Sequence, residues 1–239
     1  MGAEDRMSAG ARSAAGEDVP ATTARAGHVA SPAARAASAG ACSAARVSRP
    51  APRRIVIGVS GASGAMLGLE CLRLLEPTDV ETHLVLTHGA ELTIAQELGI
   101  SVEEFASHAS VVHDNADIGA SIASGTFRTM GMIVAPCSMK TLAGVANGFS
   151  ENLLLRAADV TMKEQRPLVL MVRESPLSAI HVDNMARVAR VPGVRLMPPL
   201  LTCYSGQLTV ADMVHHVAAK ALDVFGVETP GFQRWHDCD

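Results

Sequence analysis

Arg156, Lys163, Arg173 and Glu174 fall within one stretch, ENLLLRAADVTMKEQRPLVLMVRES at 151–175. Arg156 interrupts a leucine run on a predicted helix, and Lys163 lies two turns further along the same face. Gln165-Arg166-Pro167 ends that helix, and the strand LVLMV then delivers Arg173 and Glu174 at its carboxyl end. An arginine set among leucines needs an anion, because burying it unpaired is costly. Asp159 is one local candidate. Convergence of Arg156, Lys163 and Arg173 on one edge beside Glu174 would instead make a phosphate cradle.

Two further stretches have the residue types for anion binding. GVSGASG follows the first apolar run, and its small residues let backbone approach a ligand where a helix N-terminus offers free N–H groups. Its glycines, Gly58, Gly61, Gly64 and Gly68, match neither the G-x-G-x-x-G nor the G-x-x-x-x-G-K-[ST] pattern. A tight strand-to-helix turn without a ligand is the plain alternative. Gly61-Ala62-Ser63-Gly64-Ala65 is also one residue from a nucleophile elbow, with His181, His215, His216 and His236 downstream as bases. That elbow, however, normally follows several strands. PCSMKTL, residues 136–142, repeats the strand, hydroxyl, helix order. Ser138 and Thr141 can cap that helix and donate to a phosphate. Cys137 reads as packing rather than a redox thiol. Glu97 reads as a solvated carboxylate late in a helix. His113-Asp114 and His215-His216 are adjacent pairs that do not face one point, so no metal site is expected.

These residues must be positioned by the surrounding elements. RIVIGV, THLVLT, GMIVAP and PLVLMV read as strands buried on both faces. VRLMPP reads as a last strand. Helical stretches fall at 65–75, 90–98, 140–147, 153–165 and 179–189, and TVADMVHHVAAKALDVFG forms an amphipathic C-terminal helix. The alternation predicts a Rossmann-like, doubly wound three-layer α/β/α sandwich with a mostly parallel sheet. Ligands in such folds bind beyond the carboxyl ends of the strands.

The rest of the chain sets boundaries on function. Residues 1–52 are Ala, Ser, Gly, Arg and Pro with few large aliphatics, and they read as a disordered extension preceding one domain at 53–239. Glu4, Asp5, Glu17 and Asp18 spoil the acid-poor pattern of a transit peptide, so an uncleaved extension or a misassigned start is expected. A net charge of −4 argues against a nucleic-acid binder. No apolar run approaches the roughly 20 residues of a membrane span. Five scattered cysteines without a CxxC suggest reduced thiols in a cytoplasm.

In order, GVSGASGA, THLVLT, PCSMKTL, LLLRAADVTMKEQRPLVLMVRESP, HVDNM, MPP and RW make the chain resemble the UbiX/Pad-type flavin prenyltransferases, within the flavin-binding cysteine-decarboxylase-like proteins. The likeness runs from about residue 54 to 235. It implies transfer of a dimethylallyl group from dimethylallyl monophosphate to N5 and C6 of reduced FMN. The product, prenylated FMN, serves a UbiD-type decarboxylase. Gly61, Ala62 and Ser63 match the flavin site, with Ser63 near N5. Thr87, where many relatives have serine, also matches that site, as do Ser138, Met139, Lys140, Thr141 and Arg156. Glu97, Lys163, Arg173, Glu174 and Tyr204 match residues around the allyl phosphate. Lys220 stands where many relatives carry arginine, which keeps charge but loses bidentate geometry. Relatives form homo-oligomers, typically dodecamers, with sites at subunit interfaces, so Tyr204 and Lys220 are candidates to act across one.

The implied chemistry suits these residues. No D-D-x-x-D motif is present to hold a metal on a diphosphate. Departure of a monophosphate then needs fixed positive charge, here Lys163, Arg173 and Lys220, with Tyr204 as donor. Glu174 would exchange a proton with the leaving phosphate, and Glu97 and Ser63 would manage protons near N5 and C6. Two other readings are an FMN-binding decarboxylase and a non-catalytic flavoprotein subunit of an aromatic-acid decarboxylase. Decarboxylases acting on peptidyl- or phosphopantothenoyl-cysteine use a histidine and an Asn-containing motif where this chain has PCSMKT, which weighs against the first.

Overall fold

The apolar runs become strands because each buries nearly every side chain, and the sheet they build is covered by helices on both faces. The structure, a computed structural model, describes residues 52–203, 209–232 and 234. The extension at 1–52, apart from Pro52, lies outside them. Elements run β1 (Arg54–Val59), α1 (Ala65–Leu75), β2 (Glu81–Leu86), α2 (His88–Leu98), α3 (Val102–Ala106) and β3 (Val111–His113). After a short 3-10 turn at Ser121–Ala123 come β4 (Gly131–Cys137), α4 (Met139–Ala146), α5 (Leu153–Lys163) and β5 (Leu168–Val172). α6 (Ala179–Val188), β6 (Val194–Leu196) and α7 (Val210–Asp223) follow.

The strands lie in the order β3-β2-β1-β4-β5-β6, and every neighbouring pair is parallel. β1 and β4 are adjacent although their connections leave in opposite directions, which makes the gap beyond their carboxyl ends the switch point of the sheet. One face of the sheet packs with α1 and α7 through Ile57, Leu72, Ile133 and Leu222. The other packs with α4 and α5 through Val56, Leu142, Leu154 and Leu170. Side-chain oxygens of Thr87, Ser101, Ser138, Asn152, Ser178 and Thr209 cap the helices that follow them. Each satisfies an N–H that lacks a partner inside its helix. Gly68 lets α1 lie against β4: a Cβ there would stand 2.6 Å from the Ala135 carbonyl oxygen.

β3 and α3 are additions to the sequence reading. β3 has three residues, is half-exposed and pairs only through His83–Val85, so it lacks the buried apolar run that marks β1, β2, β4 and β5.

Candidate functional site

The loops after β1, β2 and β4 meet at the carboxyl edge of the sheet. Gly61 and Gly89 bring the first two together through backbone alone. A Cβ on Gly61 would stand 2.8 Å from both Cα and the carbonyl carbon of Gly89. Gly89 is a contact of this loop that sequence reasoning missed; its only signal was a glycine two residues beyond the hydroxyl that follows β2. Thr87 donates its N–H to the Val59 carbonyl at 3.0 Å, and its Oγ1 accepts from the Ala90 N–H at 3.2 Å. Ser138 accepts from the Thr141 N–H at 3.3 Å and donates to Thr141 Oγ1 at 3.1 Å. Gly61, Ala62, Ser63, Thr87, Ser138, Met139, Lys140 and Thr141 therefore share one edge, where the N-termini of α1, α2 and α4 also lie.

Glu97 does more than the sequence suggested. Gly64 takes a left-handed conformation (φ 110°) and has no side chain to cap α1. The Glu97 carboxylate, arriving from α2, accepts the N–H groups of Gly64 at 2.8 Å and Ala65 at 2.9 Å. Partial burial pushes its pKa up, but the Gly64 N–H, the Ser63 hydroxyl, the Ala65 N–H and the Arg173 charge together hold it below the usual carboxylate value of 4.5. A carboxylate depressed on folding contributes stability that is present above its unfolded pKa and lost as pH falls through its folded pKa. Glu97→Gln should therefore flatten the acid side of a melting-temperature profile below the ordinary value of 4.5. A variant with the same acid-side slope as the parent would show that Glu97 is not so coupled.

A cleft of about 660 Å³ opens between α1, α7 and the segment at 199–201. Its polar residues include Ser63, Glu97 and Arg173, while Met66, Leu67 and Met213 belong to an otherwise apolar wall. Arg173 is fixed there by its backbone, whose N–H donates to the Cys137 carbonyl at 3.1 Å. A hydroxyl, a carboxylate and a guanidinium in a cleft with apolar walls suit a ligand with an anionic head and a hydrocarbon tail.

Other expected residues stand elsewhere within one copy of the chain. Arg156, in the first turns of α5, pairs with Asp159 at 2.9 Å and donates to the Ala123 carbonyl at 3.3 Å. Lys163, which was expected to converge with Arg156 and Arg173, pairs with Glu164 at the end of α5, near the amino edge of the sheet. Seven residues of helix keep the same face but rise about 10 Å, and this separates Arg156 from Lys163. Lys220 is near the end of α7 and bonds Asp223 at 3.2 Å, while the opposite end of that helix, Val210, lines the cleft. Glu174 turns back on its own loop, accepting from the Ser175 N–H at 2.9 Å. Tyr204 lies outside the described residues.

Among the described residues the hydrolase alternative has no base in place. His181 accepts from the Ser178 N–H, His215 is held by Glu70 and the Pro230 carbonyl, and His216 packs on Phe232. His236 lies outside the described residues, and no histidine lines the cleft among the described ones. Burial pushes the Cys137 thiol up to about 12, and burial with the Glu70 charge does the same for Cys71. Thiol alkylation of the native protein near neutral pH should accordingly label Cys137 at least about 100-fold more slowly than in the urea-unfolded chain. Equal rates, read by peptide mass mapping, would make Cys137 a reactive thiol.

Residues 44–222 match the Flavoprotein family model. The chain is 53% identical over 183 residues to the flavin prenyltransferase UbiX of Neisseria meningitidis serogroup B, covering 77% of this chain and 96% of that protein. The chain belongs to the UbiX-type flavin prenyltransferases. Among solved structures of this kind, AnUbiX in complex with FMN and dimethylallyl pyrophosphate superposes with a TM-score of 0.76 at 43% identity. That match covers 79% of this chain and all of AnUbiX. A dodecameric FMN-dependent UbiX-like decarboxylase from Escherichia coli O157:H7 superposes with a TM-score of 0.74 at 49% identity, covering 76% of this chain and 98% of that one. The flavin prenyltransferase fold thus places the glycine loop, the hydroxyl-bearing α4 turn and Arg173 on one sheet edge. Among the described residues no three His, Cys, Asp or Glu side chains group as metal ligands.

Proposed function

We propose that the chain is a flavin prenyltransferase that joins the dimethylallyl group of dimethylallyl monophosphate to N5 and C6 of reduced FMN, and that a UbiD-type decarboxylase takes up the product. The observation that carries this reading is the grouping of Ser63, Glu97 and Arg173 in an apolar cleft beside the glycine loop. The residues present fit FMN. Gly61 and Gly89 leave backbone where a side chain would block close approach, and Ser138, Thr141 and the α4 N-terminus offer donors for a phosphate.

Reduced FMN supplies an electron-rich ring with nucleophilic N5 and C6. The side chains supply the rest. The Arg173 guanidinium offers fixed charge where the ester oxygen gains negative charge as its bond to carbon breaks. Met66, Leu67 and Met213 hold the hydrocarbon and exclude water, which strengthens that electrostatic effect. Glu97 stays ionised because it holds two backbone N–H groups, so its role is to anchor the loop and orient Ser63. Ser63 is then the residue placed to hand on a proton.

Lys163 and Lys220 lie away from this cleft in their own chain, while the sequence resemblance implies that both serve the phosphate. A second copy of the chain supplies them in this reading, in keeping with the dodecameric state of the Escherichia coli relative. The product is expected to be made in a cytoplasm, where reduced flavin is at hand.

The test is anaerobic incubation of the full chain with reduced FMN and dimethylallyl monophosphate. Flavin heavier by one C5 unit supports the transferase. Tight FMN binding with no adduct would make the chain a flavoprotein subunit instead.

A further inference from the structure

We propose that Ser60 is a positioning residue that sets the gap between the two halves of the flavin cradle. This inference rests on the reading that the carboxyl edge holds FMN. Ser60 is the first residue after β1 and only 1% exposed. Its hydroxyl donates to the Pro136 carbonyl at 2.9 Å and accepts the Ser138 N–H at 2.8 Å. Its own N–H donates to the same Pro136 carbonyl at 3.2 Å. All three bonds cross from the end of β1 to the end of β4.

The need for this link follows from the local sequence. The β1–β4 ladder runs from Ile55↔Gly131 to Gly58↔Val134 and stops there. Pro136 has no N–H to continue it. β4 also shifts register against β5 between Val134 and Cys137, as strands often do beside a functional site. A hydroxyl that both donates and accepts replaces the missing ladder bonds at the switch point. On one side it holds the start of Gly61-Ala62-Ser63; on the other it holds Ser138, the cap of α4. Neither half of the cradle can shift without breaking a Ser60 bond.

Thr82 is a matched control. It is a 3% exposed hydroxyl at the opposite edge, whose Oγ1 accepts the Ser110 N–H at 2.8 Å and so links β2 to the residue before β3. Both Ser60→Ala and Thr82→Ala leave a backbone N–H without its partner and should lower the flavin-free melting temperature comparably. Only Ser60→Ala should weaken FMN binding, by about tenfold or more, as expected when one buried donor loses its acceptor. Its KM for FMN should rise in step with that loss of affinity.

Calorimetric FMN titration of the full chain and its two variants decides the matter. Ser60→Ala binding FMN within about twofold of the parent, or Thr82→Ala weakening it equally, would overturn the positioning role. A parent chain that bound no FMN would overturn the functional reading instead. Should Ser60→Ala not fold, Ser60→Cys keeps the shape with longer, weaker bonds and is read against Thr82→Ala in the same way.

Discussion

Arg173→Gln is expected to lower kcat/KM for prenyl transfer by about 10²–10³, the usual loss when one fixed donor to a developing oxyanion is removed. FMN affinity should change by less than about threefold, because the flavin cradle is built from the other loops and Arg173 is joined to them through backbone. Arg173→Lys should recover only part of the loss, since an ammonium lacks the planar fork. The same variant tests the assignment of Lys163 to a neighbouring copy. Arg173→Gln and Lys163→Gln, each weak alone, should regain activity when unfolded and refolded together, because some mixed sites then contain both cations. No recovery in mixtures shown to contain both variants would remove Lys163 from a shared site. Undiminished turnover by Arg173→Gln would remove the electrostatic mechanism itself.

The second large effect is expected at Gly61. An alanine methyl 2.8 Å from two Gly89 backbone carbons is well inside the normal carbon–carbon contact of about 3.5–4.0 Å. Backbone cannot rotate away as a flexible side chain can, so the β1 and β2 loops must part. Overpacking of this kind costs about 1–3 kcal/mol. For a domain of this size that lowers the melting temperature by roughly 3–10 °C. FMN binding should fall further than stability alone requires, by at least about tenfold, because the displaced loop is the one proposed to face the flavin. Gly89→Ala, where the new Cβ meets Gly61 Cα at 3.1 Å, should show the same defects to a lesser degree. Gly61→Ala with parental FMN affinity would show that the close approach does not serve the ligand.

Much of the fold was legible because its signals are local. RIVIGV forms β1 over the same six residues, and α1 begins and ends where its small-residue start and leucine period indicate. Caps at Ser138 and Asn152 start their helices within a residue of the expected positions. The boundary of α5 was overrun by two residues, since Gln165 leaves the helix with a positive φ of 56° before Pro167 can act. β3 escaped notice because its three half-exposed residues are too short a pattern to separate from loop and, unlike those of β6, are not followed by two prolines.

The chain alone determined every strand but β3, every α-helix but α3, the carboxyl-edge loops and the family to which their motifs belong, because each depends on residues close together in sequence. Tertiary structure decided which distant groups meet. Glu97 reaches the start of α1 across 33 residues, Ser60 reaches β4 across 76, and neither spacing shows in a periodic pattern. Helical rise, invisible in a face diagram, carried Lys163 away from Arg173 to the far edge of the sheet. Hydrophobic periodicity reports which way a side chain points around its own element, whereas a binding site depends on height along it and on what the neighbouring strand delivers at that height.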